Sequence, residues 1–258
     1  MSLKIGIAGA AGRMGRAIAE AATQTNDMQV IAGIDQPDLQ NCGHAGFPIT
    51  PIGEASLGEI DVLIDFSLPA ALSTHLNAAR DHGCAMVIGV TGLSPVDVAA
   101  IEEAAQTIPI VQSGNMSLGV NLLAALVRDA AARLAASEYD IEVFESHHKR
   151  KVDAPSGTAL LLGNAAADGR QTPLGKIGVY DRTQVRTPRG EGDIGFSIMR
   201  GGGVIGDHTV AFLGDSEVVE LSHKAIDRGL FAKGALVAAR WVPDQVPGVY
   251  GMADVLGL

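Results

Sequence analysis

Five short apolar runs, Leu3–Ala8, Val30–Ile34, Val62–Phe66, Met86–Val90 and Ile108–Val111, recur along the first part of the chain. The segments between them, such as Arg16–Thr23 and Leu72–Asp81, are alanine-rich and have helical composition. Short buried strands alternating with helices of this length dictate a parallel, doubly wound sheet with right-handed crossovers. The stretch Ser94-Pro95-Val96-Asp97 marks one helix start: a capping serine, proline at the first helical position and an acid to answer the serine.

After about residue 117 the pattern changes. Ser117–Ala136 reads as one long helix of Leu, Ala and Val, Tyr139–Glu145 alternates as a strand, and Ser156–Ala167 reads as a further helix. Ile194–Met199, Thr209–Leu213 and Glu217–Ser222 are strands separated by turns with no helix between them. That order requires an antiparallel or mixed sheet, hence a second, α+β domain. A last apolar helix, Ala225–Trp241, fits either domain.

Composition excludes several classes of function. A formal charge of −10 is wrong for a protein that binds a nucleic-acid backbone. No apolar run reaches the length of a membrane span. Cys42 and Cys84 lie far apart without a CxxC spacing, which is the pattern of a reduced, cytoplasmic protein. The 32 glycines fit many tight strand-to-helix turns.

One such turn carries chemistry. In KIGIAGAAGRMGRAIAEAA, Gly9, Gly12 and Gly15 stand between a strand and a helix. Amides at a helix N-terminus bind a diphosphate where no Cβ blocks its approach. The spacing is GxxGxxG, not the commoner GxGxxG, and glycine turns also serve close packing. Asp35 ends the second strand at the distance where an acid hydrogen-bonds an adenosine ribose, which together with the turn points to a nicotinamide dinucleotide. A 2′-phosphate beside that carboxylate costs about 1 to 4 kcal/mol at about 4 Å. Gln36, not arginine, follows, so NADH is favoured; Arg13 or Arg16 could soften the preference and leave NADPH use open. FSLP (66–69), GVTG (89–92) and SGNMS (113–117) follow strands that end on the same edge and could frame one crevice.

The second concentration of chemistry is ESHHKRKVDAPSGTAL, residues 145–160. Neighbouring residues of an extended chain point to opposite sides, so His147 and His148 make a poor chelate, and no metal is expected. Ser156 or a neighbour should cap the helix that follows, with the amides of Gly157 and Thr158 facing outward. Beside that positive end, Lys151 and a histidine form a compact anion site that can also move a proton. His44, His75 and His82 have no partner that the sequence identifies, and strand packing accounts for His208 and His223. Met199 and Met252 read as core fillers.

The run HHKRKVDAPSGTA, with GIAGAAGRMGR, IDFSLP, GVTG, GNMSLGVN, GGGVIGDHTVAF and the closing FAKGALVAARW and PGVYGMADVL, resembles the dihydrodipicolinate (4-hydroxy-tetrahydrodipicolinate) reductase family over nearly the whole chain. The resemblance implies a Rossmann-like dinucleotide domain, 1–116 completed by 228–258, around a substrate and tetramerisation domain, 117–227. It implies NAD(P)H-dependent reduction of a cyclic dicarboxylate to tetrahydrodipicolinate in lysine and diaminopimelate biosynthesis, by a homotetramer. Two-domain enzymes commonly close over their substrate, and the same is expected here. Carried over by position, His147 is the acid/base residue and Lys151 the proton donor, while His148, Gly157 and Thr158 bind substrate. The cofactor contacts would be Gly9, Ala10, Ala11, Gly12, Arg13, Met14, Asp35, Gly89, Val90, Thr91, Ser113, Gly114, Asn115 and Met116. Val90 and Gly114 depart from the family's usual threonine and proline, which should alter affinity rather than abolish function. From the residues alone the proton donor stays open between His147 and Lys151. Another two-domain dehydrogenase and a non-catalytic dinucleotide sensor are the competing readings.

Overall fold

The computed structural model describes residues 2–39, 46–183 and 186–258. The chain divides into two units, Met1–Leu118 with Gly229–Leu258, and Gly119–Arg228.

The first unit begins with β1 (Leu3–Ala8), α1 (Arg13–Thr23), β2 (Met28–Ile34), β3 (Ile49–Thr50) and β4 (Val62–Asp65). It continues through α2 (Pro69–His82), β5 (Ala85–Ile88), α3 (Pro95–Ala104) and β6 (Pro109–Gln112). Helix α3 starts as its sequence dictates: the Ser94 hydroxyl accepts from Asp97 N, and the Asp97 carboxylate accepts from Ser94 N at 2.7 Å. Leu63, Ile64, Met86, Val87 and Ile110 are fully buried, as strands covered on both faces require.

The second unit opens with α4 (Leu118–Arg133), then β7 (Asp140–His147), α5 (Gly157–Gly169), α6 (Leu174–Ile177) and β8 (Gly178–Val179). Strands β9 (Ile194–Arg200), β10 (Asp207–Leu213) and β11 (Val218–Lys224) complete it. Its sheet runs β11-β10-β7-β9-β8 and is mixed: β7 pairs antiparallel with β10 and parallel with β9. One face, with Ile141, Val143, Phe196, Val210 and Phe212, packs on Ala159, Leu162 and Ala166 of α5. The opposite face leaves Phe144, Met199, Leu213 and Val218 partly exposed.

The chain then returns to the first unit as α7 (Gly229–Trp241), β12 (Gly248–Tyr250) and α8 (Met252–Leu256). The first sheet is seven-stranded and parallel throughout, in the order β12-β6-β5-β4-β1-β2-β3.

Several expectations are corrected. The helix expected from Ala225 begins at Gly229, because the Ala225 amide bonds Gly206 O at 2.9 Å and prolongs the strand pairing. Strand β7 runs on to His147, past the expected end at Glu145. Met199 is half exposed and no core filler, whereas Met252 is buried. Cys84 is buried, and burial pushes its thiol up to about 12, which makes it inert. Cys42 and His44 lie outside the described residues. Among the described residues no helix is long and apolar enough to cross a membrane.

Close packing fixes α7. A Cβ at Gly234 would sit 1.7 Å from the carbonyl oxygen of Met116, a backbone atom with little room to yield. Gly234→Ala should therefore cost about 1–3 kcal/mol in urea unfolding, the usual cost of overpacking. Unchanged stability would mean that the segment around Met116 shifts freely.

Candidate functional site

In a parallel sheet all strand C-termini share one edge, and loops there form the ligand crevice. In the first unit that edge holds two cavities. The larger, about 680 Å³, is lined by Gly9, Ala11, Gly12, Arg16, Asp35 and Gln36, with His75. The smaller, about 350 Å³, is lined by Met14, Gly89, Thr91 and Ser113 to Met116. Phe66, Ser67 and Leu68 line both.

The glycine turn is built from the inside. Gly9 has φ +75, which favours glycine, and a Cβ on Gly15 would lie 2.3 Å from Gly9 O. The amides of Gly9 and Ala10 donate to Ile34 O at 2.9 and 3.2 Å, and that of Gly12 donates to Gly9 O. The amide of Ala11 donates to Asp35 Oδ2 at 2.8 Å. The amides from Gly9 to Gly12 are thus spent within the turn. The donors left for an anion belong to Arg13, Met14 and Gly15, the first three residues of α1. Ala10 and Val90 turn their side chains into the core, and Arg13 lines neither cavity. Arg16 does line the larger one, with its Nε donating to Ala11 O at 2.9 Å.

The remaining loops are braced in the same way. Ser113 Oγ donates to Asn115 O at 2.9 Å, and Ser117 N donates to Asn115 Oδ1 at 2.8 Å. Gly89 has a steric reason to be glycine, since a Cβ there would meet the Phe66 ring at 2.3 Å. Asp65, fully buried at the end of β4, accepts from Ser67 N at 2.9 Å and from His75 Nδ1 at 2.7 Å. His75 is therefore a partnered residue on the larger cavity, which the sequence reading missed.

The second unit carries the basic run. Along β7 the face that is apolar at Ile141 and Val143 continues, with a period of two, into Glu145 and His147. Glu145 lies opposite His208 of β10, and His147 opposite Arg200 of β9. Glu145 is fully buried and accepts from Arg200 Nη1 and Nη2 at 2.6 and 2.7 Å, from Ser156 N at 2.9 Å and from His147 Nδ1 at 2.5 Å. Burial opposes its charge, but the Arg200 guanidinium and the His147 imidazole outweigh burial and hold the carboxyl below its usual range. Ser156 caps α5, its Oγ accepting from Ala159 N at 3.1 Å and lying 3.0 Å from His208 Nε2. Gly157 and Thr158 open the helix, where amides face away from its body. The His208 and His147 rings meet edge to face at 5.0 Å.

His148 points away from this buried cluster. Its Nε2 accepts from Arg228 Nη2 at 3.3 Å, and desolvation, with the charges of Arg150 and Arg228, lowers its pKa. The Arg228 guanidinium thus stands beside His148, a cation that the sequence does not place there. Lys151 Nζ is paired with Asp153 Oδ2 at 2.8 Å, and it holds that carboxyl below its usual range. Glu145, Arg200, His208 and Arg228 were thus missed as site residues. Glu145 had a signal: two residues before His147 on a strand, it must share its face.

Family models described as dihydrodipicolinate reductase, N-terminus, and dihydrodipicolinate reductase, C-terminus, match residues 3–116 and 119–256. The 4-hydroxy-tetrahydrodipicolinate reductase of Caulobacter vibrioides is 54% identical over 256 residues, covering 99% of this chain and 97% of that protein. A dihydrodipicolinate reductase from Paenisporosarcina, solved with dipicolinate bound, shares the fold at TM-score 0.79 and 21% identity, covering 98% of this chain and 99% of its own. GenD2 from gentamicin A biosynthesis, solved with NAD, is more distant, at TM-score 0.57 and 14% identity, covering 99% of this chain and 90% of its own.

The buried imidazole gives the second unit a pH dependence. Burial, then the neighbouring charge of His147, pushes His208 from 6.5 down to about 4. Between these values the unfolded chain binds a proton that the folded chain refuses, so stability falls as pH drops through that window. The loss from pH 7 to 5 is on the order of 2 kcal/mol. Urea unfolding of His208→Asn at both pH values should show a difference between them smaller by about that amount. An unchanged difference would assign the dependence to other groups.

Proposed function

The chain belongs to the dihydrodipicolinate reductase family, and we propose that its own reaction is the NAD(P)H-dependent reduction of 4-hydroxy-tetrahydrodipicolinate (dihydrodipicolinate) to tetrahydrodipicolinate. That is a step of lysine and diaminopimelate biosynthesis, carried out in the cytoplasm. The observation that carries this reading is the folding of His147–Thr158, which gathers a buried imidazole, a lysine and a helix N-terminus at the end of β7.

The first unit supplies a fitting cradle for a dinucleotide: a turn whose Gly9 and Gly15 leave no room for a Cβ, three open amides at the start of α1, and an acid on the larger cavity. In this reading Gly9 to Met14, Asp35, Gly89 to Thr91 and Ser113 to Met116 hold the cofactor. Ala10 and Val90 contribute through backbone alone. When bound, the reduced nicotinamide supplies a hydride. Asp35 beside a ribose favours NADH over NADPH, and Arg16 on the same cavity keeps the latter usable.

In the second unit the amides of Gly157 and Thr158, with Lys151 and His148, bind the dicarboxylate. Arg228 reinforces them through His148. Reduction leaves negative charge that needs a proton, and His147 and Lys151 are the groups that carry one. We assign His147 the acid/base role and Lys151 the donation; Lys151 must then exchange Asp153 for the substrate. The apolar face of Phe144, Met199, Leu213 and Val218 is where copies join in the proposed homotetramer.

The test is loss of reduced-nicotinamide absorbance in a coupled assay, with pyruvate, aspartate semialdehyde and the pathway's synthase generating substrate in place. Substrate-dependent oxidation, faster with NADH, supports the reading; NADH binding without oxidation would make the protein a sensor. In that assay Lys151→Ala should lower kcat by about 100-fold with NADH affinity nearly intact. Lost NADH binding would instead move Lys151 to the cofactor. Asp35→Ala should narrow the ratio of NADH to NADPH kcat/KM by about fivefold or more. An unchanged ratio would show that another residue sets the preference.

A further inference from the structure

The acid/base assignment leaves unexplained why a carboxylate with no access to water stands beside the proposed catalytic imidazole. Glu145 has no exposed surface, yet it stays charged, and its two oxygens accept four donors from three directions. Arg200 reaches it from β9, Ser156 N from the start of α5, and His147 Nδ1 from its own strand. An apolar side chain at position 145 would suit the buried face as well as Ile141 and Val143 do, so packing alone does not call for an acid.

The geometry at His147 shows what the acid does. A nitrogen that donates to a buried carboxylate at 2.5 Å is committed, so any exchange of a proton with substrate is left to Nε2. Beside Nε2 lies Gly206, where a Cβ would come within 2.9 Å of that nitrogen. His208 stands edge-on to the ring at 5.0 Å and limits its tilt. The imidazole is thus held at one nitrogen and left room at the other.

We propose that Glu145 is a positioning residue: it fixes the orientation and tautomer of His147 and, through Ser156 N, ties that imidazole to the helix end that receives the substrate. This rests on His147 being the acid/base residue. The carboxylate takes no part in bond making. Its effect reaches the reaction through the direction in which Nε2 points, and Arg200 keeps it ionised while it does so.

The experiment is a double-mutant cycle on the full-length enzyme, using Glu145→Gln, His147→Gln and the pair, with kcat and KM measured for each. Glu145→Gln alone should lower kcat by about tenfold or more while KM stays within about threefold. In the His147→Gln background the same change should cost almost nothing further, because the residue it acts through is gone. Equal losses in both backgrounds, or a change in KM with kcat kept, would overturn the positioning role while leaving His147 in place. Wild-type kcat in His147→Gln would overturn both the acid/base reading and the proposal. Should Glu145→Gln fail to fold, the tautomer of His147 in the wild-type enzyme, read by 15N NMR, decides in its stead. A neutral ring with its proton on Nδ1 supports the proposal, and a neutral ring with its proton on Nε2 overturns it.

Discussion

A carboxylate removed from water must find donors or lose its charge. Both units of this chain place one such carboxylate at the carboxyl end of a strand, and both surround it alike. Asp65 at the end of β4 takes a histidine Nδ1 and the amide of the following turn; Glu145 in β7 takes a histidine Nδ1 and the amide of the residue capping α5. In each case one acid fixes an imidazole and the start of the next element together. At each sheet end the acid thus ties a strand to the loop that follows it.

The two anions differ in how their charge is met. Glu145 has the guanidinium of Arg200 with both terminal nitrogens on it, a buried pair whose value lies in geometry more than in net stabilisation. No guanidinium is bonded to Asp65 among the described residues, where an amide and an imidazole suffice. The bond between Glu145 and His147 is charge-assisted and short, the stronger kind for holding a ring in one orientation.

Much of the fold was legible in the sequence because it rests on local pattern. Buried strands announce themselves as apolar runs, and the box at Ser94 and Asp97 is a contact between residues three apart. The strands β3, β8 and β12 were not legible, since two or three residues carry no periodicity and owe their conformation to a neighbouring strand. The site divides along the same line. His147, Lys151 and the end of α5 sit in one contiguous run and could be read. Arg200, His208 and Arg228 come from other strands and a later loop, brought near by pairing registers that nothing in the linear order states. The turn at Gly9–Gly12 was recognised as a motif, but the assignment of its amides depended on Asp35 folding back onto Ala11.

The Phe66 ring occupies the space that any side chain at position 89 would need. The two positions belong to successive strand ends, so neither reads as a partner of the other in the sequence. Their histories are nonetheless bound together. A lineage acquires a side chain at 89 most readily after the ring at 66 has given way to something smaller, and the reverse order passes through an intermediate in which the ring must be displaced. Descendants of this chain that carry a side chain at 89 should therefore have a smaller residue at 66, while the glycine can outlast the ring, a trace of one steric contact written into inheritance.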